Sequence, residues 1–130
     1  MSFFALHPVE YLFSSAHGAI TTSYSTGRAT FAGRFATGKA YEVPFEIYKD
    51  GLDDFVLLTE DEIYDAIGLA FFYTHNLAEG AGAAPLMAAY RLKEKLTGKR
   101  LVLQMSGCNA SPDEIIEASR RDAFTKGVIA

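Results

Sequence analysis

Residues Glu79 to Asn109 constrain the fold more than any other part of the chain. Glu79 is followed by Gly80-Ala81-Gly82-Ala83-Ala84-Pro85, a helical run to Leu96, and a stop at Gly98. Glycine and alanine at a helix start let a second backbone come close. The apolar run Leu101-Val102-Leu103-Gln104-Met105 then predicts a buried strand over Arg100 to Met105, leading straight into Ser106-Gly107-Cys108-Asn109. Such a strand delivers one hydroxyl to the carboxyl end of a sheet, where open α/β folds bind ligands.

The rest of the chain reads as further strand and helix units. Phe3 to Leu6 is expected to be a buried strand, and Pro8 suits the first turn of a helix running to about Ala16 and closed near Gly18. Residues 19 to 40 read as a long irregular connection, with a short helical possibility between Thr30 and Phe35. A helix over Tyr41 to Tyr48 would place Val43, Phe45, Ile47 and Tyr48 in apolar contacts. Phe55-Val56-Leu57-Leu58 lacks alternation, which predicts a strand covered on both faces. Thr59-Glu60-Asp61-Glu62 is a capping box, and Ile63, Ile67, Ala70 and Phe71 share one face of the helix it starts, through about His75. Ser111-Pro112-Asp113-Glu114 starts a final helix packed through Ile115, Ile116 and Ala118 and fading at Lys126-Gly127. Three apolar strands, each followed by a helix, imply an α/β fold with a mostly parallel sheet and right-handed crossovers. Three strands make a narrow sheet, so an apolar edge or face is expected to need a partner.

Composition narrows the partners. The chain has 130 residues, read as a single domain over 1–130, about half of them apolar. A net charge of −4, with no dominant basic cluster, argues against nucleic acid. Lys93, Lys95, Lys99 and Arg100 suit a solvated helix end. The lone Cys108 excludes an internal disulfide, and no apolar stretch reaches membrane-spanning length, so a soluble, cytoplasmic chain with no membrane partner is expected. His7, His17 and His75 lack ligand spacing, and no metal site is expected.

An E-G-A-G-A helix start followed by a strand ending in S-G-x-N resembles the pyridoxal-phosphate-dependent threonine/serine dehydratases, of the tryptophan synthase beta-like, fold type II superfamily. The order of the other motifs fits too. Thr30-Phe31-Ala32-Gly33-Arg34-Phe35-Ala36, Pro44-Phe45-Glu46-Ile47, Asp53-Asp54-Phe55-Val56-Leu57 and Thr59-Glu60-Asp61-Glu62-Ile63 follow the family's sequence of segments from about Phe3 to Arg120. The resemblance implies the carboxyl-terminal part of such an enzyme, a partial three-layer αβα domain.

By that resemblance Ser106 meets the pyridine nitrogen of pyridoxal phosphate, while Glu79, Gly80, Gly107 and Asn109 line the same pocket. On residue chemistry alone, a hydroxyl bonding its own turn is the commoner role for Ser106, and Glu79 could equally well simply favour a helix dipole. No lysine lies in the family's Schiff-base setting and no glycine-rich phosphate loop is present, so no catalytic residue is assigned. The expectation is an ammonia-lyase part that deaminates a hydroxy amino acid to a 2-oxo acid only when a lysine-bearing half is supplied. The chain alone is expected neither to turn over substrate nor to retain the cofactor. Alternatives are a non-catalytic homo-oligomeric module, or a small-ligand binder holding an anion at the Gly80 or Ser111 helix start.

Overall fold

The computed structural model describes residues 4–8, 14–16, 19–21, 30–32, 43, 46–47 and 54–129. The chain divides into two compact units, Met1–Leu57 and Leu58–Ala130.

The first unit carries strands β1 (Phe4–Pro8), β2 (Ser14–Ala16) and β3 (Ala19–Thr21); β4 (Asp54–Leu58) ends at the boundary. β1 pairs with β4, and β2 pairs antiparallel with β3 in the register Ser14↔Thr21, Ser15↔Ile20, Ala16↔Ala19. The helix expected from Pro8 to Ala16 is therefore replaced, at its end, by a hairpin strand. Ser14 and Ser15 contribute little to an apolar helical face, and the Ala16↔Ala19 pairing makes this segment one arm of an antiparallel pair. Val43, Glu46 and Ile47 are helical, but Val43 and Ile47 are 71% and 78% exposed. Four residues apart, they share a helix face that makes no core, contrary to expectation. Phe45 and Tyr48 lie outside the described residues.

In β4, Val56 and Leu58 are buried while Leu57 is 41% exposed. The pleat decides this: successive side chains point to opposite faces, and only one is covered. The uniform run read as a strand covered on both faces is thus covered on one.

The second unit is helical. Thr59 caps α1 (Glu60–Thr74): its hydroxyl accepts from the Glu62 amide at 3.2 Å, and the Glu62 carboxylate accepts from the Thr59 amide at 2.7 Å. Ile63, Ala66, Ile67 and Ala70 form its buried face. α2 (Gly80–Arg91) breaks at Leu92 (φ −94°, ψ 9°) before the short α3 (Lys93–Leu96), and Gly98 at φ +75° ends the run. α4 (Pro112–Ser119) and α5 (Asp122–Lys126) replace the single final helix expected, because Arg121 is extended at φ −96°, ψ 149°. α1 packs against α2, α4 and α5 around Leu58, Ile63, Ile67 and Met87. Alanines at 66, 70, 83, 84, 118 and 123 keep those helices close.

The strand expected over Arg100 to Met105 does not form; these residues are neither helix nor strand. A strand exists only through a neighbouring ladder, and none of the described strands pairs with this segment. Coarse α/β character holds, but the described pairings are two-stranded and no mostly parallel three-stranded sheet is built from them.

Candidate functional site

The start of α2 and the turn after Met105 meet in a small junction. Glu79 is the N-cap of α2, in extended backbone, and its side chain does not cap the helix. It is nevertheless 7% exposed, the one buried charged residue among those described. The positive end of the helix favours a carboxylate there. The Glu79 amide donates to the Gly107 carbonyl at 3.2 Å.

Contact at this junction is backbone on backbone. A Cβ on Gly82 would press into the Gly107 carbonyl and lie 3.0 Å from its amide nitrogen, and a Cβ on Gly107 would run into the Glu79 carboxylate. Gly82 therefore makes room for Gly107, and Gly107 makes room for the Glu79 carboxylate. They let the 106–109 turn lie flat against the first turn of α2.

A third element completes the arrangement. The Glu114 carboxylate, on α4, accepts from its own N-cap amide Ser111 at 2.7 Å through Oε2. Through Oε1 it accepts from the Gly80 amide at 3.1 Å. One carboxylate thus serves two helix starts, and the α2 start that was read as an anion site already holds an anion of its own. Sequence reasoning identified the Ser111-Pro112-Asp113-Glu114 helix start but not this second contact of Glu114, because nothing local signals a partner thirty-four residues away.

Glu79, Gly80 and Gly107 are therefore brought together. Ser106, next to Gly107, is exposed and its hydroxyl makes no hydrogen bond among the described residues; the same holds for the Asn109 side chain. Ser106 does not stand on a strand tip, since the segment before it is not a strand. Cys108 is exposed as well. Among the described residues no three His, Cys, Asp or Glu side chains cluster as metal ligands, and no helix is long and apolar enough to cross a membrane.

Two further features lie outside this junction. A shallow apolar groove of about 460 Å³ is lined by Leu69, Tyr73, Leu86, Tyr90 and Val128. Arg121 pairs with Asp61 and, at 3.3 Å, with Asp65, and lies 5.4 Å from the Tyr64 ring. Burial acts to lower the guanidinium pKa, but the hydrogen bonds to both aspartates outweigh it and raise it. Burial, and then the charges of Glu60, Glu117 and Glu114, push the Tyr64 hydroxyl above the ordinary tyrosine range against the opposing Arg121 charge.

No family model matches the chain. Over 93 residues, 72% of its length, it is 33% identical to the L-threonine dehydratase biosynthetic IlvA of Halalkalibacterium halodurans, and this stretch is 22% of that protein. Over 83 residues, 64% of its length, it is 35% identical to the L-threonine ammonia-lyase of Thermotoga maritima, covering 20% of it. The chain is threonine dehydratase-like over most of its length, and it spans about a fifth of the curated relatives it matches.

Proposed function

We propose that this chain supplies one wall of the cofactor site of a pyridoxal-phosphate-dependent threonine/serine dehydratase-like lyase. The observation that carries this reading is the 33% and 35% identity, over 93 and 83 residues, to two proteins named as a threonine dehydratase and a threonine ammonia-lyase. The helical unit and its 79–114 junction would then form a scaffold with Ser106 at its working edge.

The residues present fit one end of the cofactor and not the other. Ser106 offers an exposed hydroxyl, uncommitted among the described residues, that can donate to a pyridine nitrogen. Glu79, Gly80 and Gly107 hold the turn that carries it, and Asn109 flanks it. The phosphate end finds no support here, since the Gly80 amide is already engaged by Glu114. When bound, pyridoxal phosphate supplies an electron-withdrawing ring that makes the amino acid's α-proton removable. Ser106 acts on that ring from one side: a neutral hydroxyl leaves the ring nitrogen unprotonated, where an aspartate would keep it cationic. Proton removal needs a base, and the lysine that does this in the family has no counterpart here. Deamination of a hydroxy amino acid to a 2-oxo acid therefore requires a lysine-bearing portion from elsewhere.

The test is formation of 2-oxobutyrate from L-threonine, followed by a coupled dehydrogenase. The chain with added pyridoxal phosphate should give no more product than free cofactor, and no protein-bound visible absorption. Adding a separately produced lysine-bearing portion of a dehydratase relative should restore turnover, and Ser106→Ala should then lower kcat at least tenfold. Turnover by the chain alone, or a silent Ser106→Ala in the restored mixture, would refute the reading.

A non-catalytic assembly module is the second reading, favoured by the exposed apolar segment that precedes Ser106.

A further inference from the structure

The stretch that carries Ser106 is held at few points. Between Leu101 and Ala110 one backbone hydrogen bond forms among the described residues, from the Glu79 amide to the Gly107 carbonyl at 3.2 Å. The next attachment along the chain is Ser111, whose amide donates to the Glu114 carboxylate at 2.7 Å. A capping box needs only one carboxylate oxygen for the N-cap amide. Here the other oxygen accepts from the Gly80 amide at 3.1 Å. Glu79 does not cap α2 with its own side chain, and the first amide of a helix has no acceptor within it, so Glu114 fills that place from another helix.

We infer that Glu114 is the positioning residue for the Ser106 hydroxyl. This deepens the dehydratase reading and rests on it for what Ser106 does.

The turn is pinned to α2 on both sides of Cys108-Asn109-Ala110. On one side Gly107 lies against Glu79 and Gly82. On the other, the Glu114 side chain joins Ser111 to Gly80. Both anchors fall on the first turn of the same helix. Two anchors fix a direction as well as a place. With Gly107 alone, the stretch would pivot about a single 3.2 Å bond, and Ser106, its neighbour in the chain, would swing with it. Glu114 acts only through this turn. The task needs a carboxylate, because amides from two helix starts converge on its two oxygens. A glutamine of the same shape keeps one acceptor and turns an NH2 group toward the other amide.

Glu114→Gln therefore breaks the bridge while keeping the shape, and circular dichroism should show the same helices. In the isolated chain, hydrogen exchange at the Glu79 amide reads the Gly107 anchor and should quicken about fivefold or more. Thr59→Ala, a cap loss on α1 outside the junction, should leave that exchange within about twofold. In the mixture restored with a lysine-bearing portion, Glu114→Gln should lower kcat about tenfold through misplacement of the hydroxyl. The KM for L-threonine should stay within about twofold, because the hydroxyl addresses the cofactor ring rather than the amino acid. In a Ser106→Ala background the Glu114→Gln loss should vanish, as it must when one residue acts only through the other. Unchanged Glu79 exchange in Glu114→Gln, equal quickening in Thr59→Ala, or a kcat loss that persists in full without the Ser106 hydroxyl would overturn the inference. A parent mixture without turnover would refute the dehydratase reading, and the role at Ser106 with it, while the exchange measurement would still decide whether Glu114 holds the turn.

Discussion

Gly82 and Gly107 meet with no room for a methyl group between them, whereas Gly98 has nothing within 4 Å of where a Cβ would stand. The two environments make separable predictions. Gly82→Ala should destabilise the fold by about 1–3 kcal/mol through overpacking against backbone, and Gly107→Ala by less, because the Glu79 side chain it meets can swing aside. Gly98→Ala should cost about 1 kcal/mol, purely from its positive φ. Urea unfolding distinguishes them, because repacking of the junction should alter the Gly82 and Gly107 variants while leaving Gly98→Ala a simple shift. The importance of Gly80-Ala81-Gly82 and Gly107 was legible from their small size next to a helix start. That the two stretches would touch each other was not, since composition indicates tolerance of close approach without naming what approaches.

Among the elements, capping was the most legible signal. Thr59-x-x-Glu62 and Ser111-x-x-Glu114 both form the reciprocal boxes that their sequences spell out. Their energetic weights should differ. Thr59→Ala should cost about 1 kcal/mol, an ordinary cap loss. Glu114→Ala removes a cap and also leaves the Gly80 amide without its acceptor, so it should cost about 2–3 kcal/mol by denaturant titration. Elements that depend on distant partners were read less well. The helix expected up to Ala16 ends in a hairpin strand, and the Arg100–Met105 strand has no ladder to join. In both cases local pattern was consistent with the expectation, and pairing, or its absence, overrode it.

At the level of the helical unit, α5 is held to α1 by contacts of three kinds. Phe71 and Phe124 stack with ring centroids 4.3 Å apart, Gly68 lets Ala123 and Phe124 approach, and Arg121 reaches Asp61 and Asp65. Arg121→Gln should destabilise by about 1–2 kcal/mol, the upper end for a half-exposed pair, and the loss should shrink at high salt. Tyr64 contributes to the loss of stability in alkali. Its raised pKa means the folded chain holds that proton more tightly than the unfolded one. Its contribution is complete below the unfolded tyrosine value of 10.0 and is lost as pH rises through the folded value. Thermal melts should therefore fall in alkali less steeply for Tyr64→Phe than for the parent chain.

The carboxylate of Glu114 ties the chain between Gly80 and Glu114, thirty-four positions apart, into a loop closed by a single side chain. Neither helix start can fray without releasing the other, so both should belong to one cooperative opening unit. In deuterated buffer, the amides of Gly80 and Ser111 should exchange at matched rates, although one sits in the interior and the other at the surface.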